Sequence, residues 1–269
     1  MLSFNRLGNL GRLANQMFQF AALKGIAKNR SLEWCIPPKE IFGINDHLVN
    51  NSDTNLYDCF ILSELNIGIL SNNKSVVEST FSFDQELFNN CDENTDLIGY
   101  FQTEKYFKHI EDEIRKDFTF KSEIFDVSRE KYDMVFPHTE VISLHIRRGD
   151  YVNSSAHPVQ SLEYYEKSLD LLNKNIPVII FSDDPDWCAS QELFESDRFL
   201  ISETNDTKMD LCLMSFCDYH IIANSSFSWW GSWLSNSKKT IAPKKWFSGE
   251  LETKDTVDLY LPNWEILDA

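Results

Sequence analysis

Positive charge is scarce in this chain. Twenty-five lysines and arginines stand against 42 aspartates and glutamates among 269 residues, a formal net charge of −17. So acidic a surface repels phosphate polymers and anionic lipid, which argues against a nucleic-acid partner and leaves at most peripheral contact with a membrane. No apolar run approaches the roughly 20 residues of a spanning helix. The opening MLSFNRLGNLGRLANQ has no basic segment followed by an apolar one, so no secretory signal is expected. Triplets such as Asn153-Ser154-Ser155 and Asn224-Ser225-Ser226 then match the glycosylation pattern only by chance. The six cysteines (Cys35, Cys59, Cys91, Cys188, Cys212 and Cys217) contain no C-x-x-C pair. They read as small buried thiols of a reduced compartment rather than as a zinc site. A cytoplasmic protein is expected.

Three active-site signatures are missing as well. Leu7–Ala14 (LGNLGRLA) is not G-x-G-x-x-G, because Gly8 and Gly11 stand three apart. There is no G-x-x-x-x-G-K-[ST], which excludes P-loop chemistry, and no G-x-S-x-G elbow of a hydrolase. What remains is ordinary for a folded chain: 42% apolar and 25% charged residues, with 20 phenylalanines to fill a core. The length suits one large domain or two small ones.

The pattern opens with a strand over Leu2–Leu7, a glycine turn, and a helix whose apolar Met17, Phe20, Ala21, Leu23, Ile26 and Ala27 follow a helical period, with Asn15 as its N-cap. From Asn45 to Asn94 the chain is rich in Asn, Asp and Ser, and its apolar pieces are too short to assign. Ile98–Phe101 reads as a buried strand, Glu104–Asp117 as a helix, and Lys121–Pro137 as a helix and connector. A domain boundary is expected near Pro137. Beyond it come strands at Val141–Ile146, Pro177–Phe181, His220–Ala223 and Thr240–Ala242. Helices fall at Leu162–Leu172, from Asp184, over Met209–Phe216 and from Phe227. Such alternation implies parallel sheets with right-handed crossovers, an α/β fold.

Three of these strands run into polar motifs. VISLHI leads to Arg147-Arg148-Gly149-Asp150, PVIIF to Ser182-Asp183-Asp184-Pro185, and HIIA to Asn224-Ser225-Ser226-Phe227-Ser228. In an open parallel sheet all carboxyl ends share one edge, so the three clusters converge on one crevice. Two arginines there suit a phosphate or carboxylate, which a guanidinium grips bidentately. The serine run at a helix start adds hydroxyls and free N–H groups. Asp183 and Asp184 can cap the next helix or accept from a guanine base. Asp184-Pro185-Asp186 matches the metal-binding D-x-D string, but at a helix start such acids face the dipole, so capping is expected and no metal site is assigned. Trp229, Trp230 and Trp233 are expected in the core.

These residues bring a family into view. GRLANQMFQFAALKGIAK, GYFQTEKYF, HIRRGDYV, FSDDPDW, LMSFCDYHIIANSSFSWWGSWLS and APKKWF together resemble the α-1,2-fucosyltransferases of glycosyltransferase family 11. The blocks run in the family's order across nearly the whole chain. H-x-R-R-x-D is shared with other fucosyltransferases, whereas NSSFSWWG is specific to the α-1,2 group. Ala14 stands where the family usually has Gly.

The resemblance implies a GT-B-like fold of two Rossmann-type halves: residues 1–137 on the acceptor side, and residues 138–269 holding GDP-β-L-fucose. It implies an inverting transfer of fucose to the 2-hydroxyl of a terminal galactose on an oligosaccharide or polysaccharide, with no metal or other cofactor. Arg147 would bind the diphosphate, with Arg148 beside it and His145 against the nucleotide. Asp183, or Asp184, would meet the guanine. Asn224, Ser225, Ser226, Phe227 and Ser228 would line the diphosphate and fucose. Asn15 and Gln16 would reach across the cleft from the first half. Asp150 and His157, just past the arginines, are the candidate bases, although Asp150 can equally serve as a salt bridge to Arg148. Arg147, Asp150, His157 and Asn15 are thus the expected catalytic set. A catalytically inactive nucleotide-sugar-binding protein of this fold, or a transferase of the same chemistry with a non-galactose polysaccharide acceptor, are the competing readings.

Overall fold

The computed structural model describes residues 1–41 and 54–269; of the unassigned stretch from Asn45 to Asn94, residues 45–53 fall outside it. The chain divides into two compact units, Met1–Lys121 with Asp255–Leu261, and Ser122–Lys254 with Pro262–Ala269.

In the first unit the order is β1 (Leu2–Ser3), α1 (Leu13–Arg30), β2 (Trp34–Cys35), α2 (Leu56–Cys59), β3 (Lys74–Val77), α3 (Gln85–Asn90), β4 (Thr95–Ile98) and α4 (Glu111–Asp117). The strands pair in parallel in the order β2-β1-β4-β3. β1 is shorter than the apolar pattern suggests, because the chain turns at Phe4, whose carbonyl accepts from Leu7 N–H at 2.9 Å. β4 lies upstream of the strand expected over Ile98–Phe101 and shares only Ile98 with it, the chain leaving the ladder at Gly99, φ 155°. Asn15 is not the N-cap of α1: Arg12 occupies that place and Asn15 lies inside the first turn. From Leu13 to Ala27 every residue of α1 except Asn15 is buried, so this helix is wrapped on all sides rather than lying amphipathic on a surface. Its phenylalanines feed an aromatic core, Phe20 packing on Trp34 at 5.6 Å and Phe118 at 5.7 Å, with Phe60 5.0 Å from both Phe118 and Phe120.

Next come α5 (Ser122–Val135), β5 (Ile142–Ile146), α6 (Leu162–Asp170), β6 (Val178–Ser182), α7 (Pro185–Ala189), β7 (Phe199–Ile201), α8 (Thr207–Met214), β8 (Tyr219–Ile221), α9 (Ser226–Leu234), β9 (Lys239–Pro243) and β10 (Glu265–Leu267). These strands form the second unit's sheet, parallel throughout, in the order β10-β9-β8-β5-β6-β7. Counted from β5 this is the 3-2-1-4-5-6 order of dinucleotide-binding sheets, and the chain reverses direction across the sheet between β5 and β8. Side chains alternate between the faces. Val178 and Ile180 join Tyr164 and Tyr165 in one core cluster, while Ile179 and Phe181 join Tyr132, Phe136, Leu213 and Met214 in another. Both faces of β6 are therefore covered.

The division between the units falls at Lys121–Ser122, earlier than the Pro137 boundary expected from the sequence. The reason is packing: Phe125 and Tyr132 of α5 meet Phe216 at 5.4 and 5.6 Å. Asp258 returns to the first unit, accepting from Phe83 N–H at 2.8 Å and pairing with Lys105. Among the described residues no helix is long and apolar enough to cross a membrane.

One buried ion pair ties α1 to α4. Lys24 Nζ lies 2.6 Å from Asp117 Oδ2, with side chains 6% and 0% exposed, and Asp117 Oδ1 also accepts from Ser63 N–H at 3.0 Å. Lys24→Met leaves that carboxylate buried without its cation, so equilibrium urea unfolding should show a loss of about 3–5 kcal/mol. Adding Asp117→Leu should restore part of it.

Candidate active site

At the carboxyl edge of the second sheet, β5 delivers two arginines and β6 two aspartates, and each arginine is gripped by carboxylates. Arg147 Nη1 donates to Asp183 Oδ2 at 2.7 Å and Nη2 pairs with Asp150, while the guanidinium lies 5.2 Å from the Tyr151 ring. Arg148 Nε donates to Asp184 Oδ2 at 2.9 Å, and its guanidinium stacks 4.0 Å above Trp187. Asp183 Oδ1 meanwhile accepts from the Arg148 backbone N–H at 2.8 Å. Gly149 makes this packing possible, since a Cβ there would lie 2.4 Å from Asp183 Oδ2.

The two aspartates therefore have different duties. Asp184 is the N-cap of α7, with Pro185 following it, and its Oδ1 accepts from Trp187 N–H at 3.3 Å. Its other oxygen is taken by Arg148, so both are in use. Asp183 braces both arginines. Asp150 pairs with Arg147 and not with Arg148, because the 3-10 turn Gly149–Asn153 brings it back beneath the nearer guanidinium. Its side chain is 59% exposed against 19% for Arg147, making it the loosest carboxylate of the group.

β8 delivers the serine run. Ser225 caps α9, accepting from Phe227 N–H at 3.3 Å, so this helix points its amino terminus at the same sheet edge as the arginines. Ser226 and Phe227 are half-buried in its first turn. Ser228 Oγ lies 2.9 Å from His145 Nδ1, and the His145 ring packs on Phe227 at 5.6 Å. Burial, reinforced by the nearby Arg147 charge, lowers the His145 pKa to about 3, which keeps this imidazole neutral. Trp229, Trp230 and Trp233 are buried, as expected. The carboxyl ends of β5, β6 and β8 thus bring a helix terminus, hydroxyls and two arginines to one sheet edge, the groups that suit an anion.

Other expected residues are placed differently. Asn224 is 1% exposed, and its side-chain amide is spent on the protein: Nδ2 donates to Pro158 O at 3.0 Å and Trp246 O at 2.9 Å, while Oδ1 accepts from Gln160 Nε2 at 2.9 Å. It fastens three segments and has no amide hydrogen left for a ligand. His157 stacks on Tyr151 at 4.9 Å and meets Phe247 at 5.5 Å, and burial lowers its pKa. Its Nδ1 is buried without a hydrogen-bond partner. In the first unit Gln16 is 1% exposed and turned inward, Oε1 accepting from Leu56 N–H at 3.3 Å. Asn15 remains half-buried at the carboxyl edge of its own sheet, where Oδ1 accepts from Gln102 Nε2 at 2.8 Å. Tyr151, Trp187 and Gln102 were not singled out in the sequence, although each lies inside a quoted motif block. Among the described residues no group of three or more His, Cys, Asp or Glu is placed to hold a metal ion.

The sequence model described as Glycosyl transferase family 11 matches residues 4–268. An Escherichia coli alpha-1,2-colitosyltransferase is 33% identical, over 89% of this chain and 91% of its own. The Escherichia coli O-antigen biosynthesis glycosyltransferase WbnK is 30% identical, over 72% of this chain and 69% of its own. Among solved structures, the NodZ alpha-1,6-fucosyltransferase soaked with GDP-fucose superposes with a TM-score of 0.55, at 13% identity, covering 90% of this chain and 94% of that one. The shared GT-B-like architecture agrees with the two parallel α/β units found here.

The buried imidazoles carry a pH consequence. An unfolded chain protonates His145 near pH 6.5, but the folded chain holds it neutral down to about pH 3. Stability is therefore full above about pH 6.5 and falls as pH drops toward 3, by up to about 1.4 kcal/mol per pH unit for this residue. His220, buried with its pKa lowered to about 4, adds to the slope. Six of the seven tryptophans lie in the second unit, so their fluorescence reports its unfolding. Between pH 6.5 and 4.5, His145→Gln should show a shallower loss of stability than wild type. Equal slopes would mean that folded His145 titrates normally.

Proposed function

The chain belongs to glycosyl transferase family 11, and on that footing we propose that it transfers L-fucose from GDP-β-L-fucose to the 2-hydroxyl of a terminal galactose on a glycan, with inversion and without a metal. The observation that carries this reading is the paired-arginine cluster at the reversal point of the second sheet, beside the α9 amino terminus. A nucleoside diphosphate fits that chemistry. The galactoside acceptor rests on the NSSFSWWG block, which resembles the α-1,2 group.

The reaction follows from charge. As the fucosyl–phosphate bond breaks, the sugar ring becomes positive and the leaving β-phosphate more negative. Donors fixed in place at that phosphate stabilise the transition state more than the ground state. Arg147 is the donor for this task, and the phosphate takes over the guanidinium face now held by the exposed Asp150. Asp183, packed against Gly149, stays behind it and keeps the guanidinium oriented. Neutral His145 and the first-turn N–H groups of α9 complete the anion site. A base must take the acceptor proton. Asp150, released from Arg147, is the better candidate, since the His157 ring is packed between Tyr151 and Phe247. Asn15 serves as a polar contact to the transferred sugar or its acceptor.

A second reading keeps the site and changes the sugar. The similarity to an alpha-1,2-colitosyltransferase and to an O-antigen biosynthesis glycosyltransferase favours a colitosyl donor and an O-antigen-type polysaccharide acceptor. Incubation with GDP-fucose or GDP-colitose and a panel of galactosides, read by mass and by anomeric coupling in NMR, separates the two. Transfer from neither donor, with GDP binding intact, would leave only the inactive binder.

Two outcomes test the phosphate chemistry. Arg147→Lys keeps the charge but loses the two-pronged grip, so turnover should fall a hundred- to thousand-fold, about 3–4 kcal/mol, while the melting temperature holds. If Arg147→Lys and Arg147→Ala both fold and transfer within a few-fold of wild type, the mechanism is wrong. Chelation with EDTA should leave the rate unchanged; a loss restored by manganese would return Asp184-Pro185-Asp186 to the site.

A further inference from the structure

One carboxylate of the first unit holds an unusual loop at the sheet edge where Asn15 lies. Glu78 follows β3 directly, and its N–H still bonds Ile98 O at 2.7 Å in the manner of a strand. Its side chain turns to the segment beyond β4, where Oε2 accepts from Tyr100 N–H at 2.7 Å and Oε1 from Phe101 N–H at 2.9 Å. The loop is not relaxed backbone. Gly99 has φ 155° and passes so close that a Cβ there would lie 2.4 Å from Glu78 Cβ. Phe101, fully buried, has φ 54°, a left-handed conformation rarely taken by a bulky residue. Its ring is wedged between Phe4 at 5.8 Å and Tyr106 at 5.3 Å.

The loop in turn grips the start of α1. Gln102, the next residue, donates to Asn15 Oδ1 at 2.8 Å. Gln19 Nε2 donates both to Gly99 O at 3.0 Å and to Leu10 O at 2.9 Å, tying the loop to the turn before the helix. Two consecutive N–H groups are thus fixed by one carboxylate, and the residue after them orients one amide. We propose that Glu78 is a positioning residue for the transfer reaction: it holds the Gly99–Gln102 loop in the conformation from which Gln102 fixes the Asn15 side chain. This rests on the role proposed above for Asn15.

The carboxylate form matters, because a protonated Glu78 loses acceptor strength at one oxygen and releases one of the two N–H groups. Burial, opposed by the two backbone donors, raises its pKa to about 7. Tyr106 is a titratable neighbour that feels its charge, and burial keeps that phenol neutral; Asp84 and Asp258 act on the same phenol. Loosening of the loop is therefore expected as pH falls through about 7.

The test compares wild type, Glu78→Gln, Gln102→Ala and the double variant. Each is measured by steady-state transfer from GDP-fucose across pH 5.5 to 8.5, and by amide hydrogen exchange of segments 13–16 and 99–102. Glu78→Gln should lower kcat about tenfold with the donor KM nearly unchanged, and should remove the fall in rate below pH 7. In the Gln102→Ala background it should cost nothing further, since it acts through Gln102. Exchange should quicken in both segments. Unchanged exchange at 13–16, or losses that multiply in the double variant, would overturn the proposal. If wild type transfers no sugar, the functional reading fails, and the exchange measurement still decides whether Glu78 governs the Asn15 turn. Should Glu78→Gln not fold, wild-type exchange at 99–102, corrected for intrinsic rate, must still quicken below pH 7; constancy would sink the idea.

Discussion

The second unit turns on how an acidic chain keeps two adjacent arginines in one orientation. Arg147 and Arg148 leave the same strand end, where their like charges repel. Asp183 settles the conflict by accepting from the Arg147 guanidinium and from the Arg148 backbone at once. Asp184 then draws the Arg148 side chain away toward Trp187. One guanidinium is held at the sheet edge and the other lies over an indole. Planar, delocalised cations suit both duties, and a lysine suits neither.

The fold supplies the convergence. Parallel strands put all their carboxyl ends on one edge, and the reversal between β5 and β8 parts the helices that follow them. A dinucleotide-binding sheet of this order places a glycine-rich turn after its first strand, so that backbone N–H groups cradle phosphate. Here the same position holds Arg147-Arg148-Gly149, and guanidinium groups stand where amides would. In the proposed site the N–H donors come instead from α9, after the fourth strand in that count.

Much of this was legible in the residues. β5, β6 and β8 announce themselves as apolar runs because both faces of the sheet are covered, and polar motifs begin where burial stops. The edge strands β7 and β10 went unseen, being three residues each with alternating partial exposure. β1 is legible only as part of a longer Leu2–Leu7 strand, and β2, two residues long, has no pattern to show. Asn15 looked like a cap because Asn favours that place, but the glycine turn starts the helix earlier. The inward turns of Gln16 and Asn224 had no signal at all, since a polar residue in a motif reads the same whether it faces a ligand or a neighbouring carbonyl. Glu78 was invisible for a related reason: its partners are backbone N–H groups, which leave no trace in side-chain identity.

In the mechanism proposed above, Asp150 is also a built-in competitor for the Arg147 guanidinium. A carboxylate tethered three residues from Arg147 is present at a high effective concentration whatever the free anions in solution. Any phosphate that settles on the guanidinium does so by displacing a partner that never diffuses away. Arrival is thereby selective, since a lone weak anion gains too little to win the exchange. Departure is hastened by the same tether, because the side chain waits beside the cation to reclaim it. On the proposed mechanism, such a site would favour turnover over tight retention.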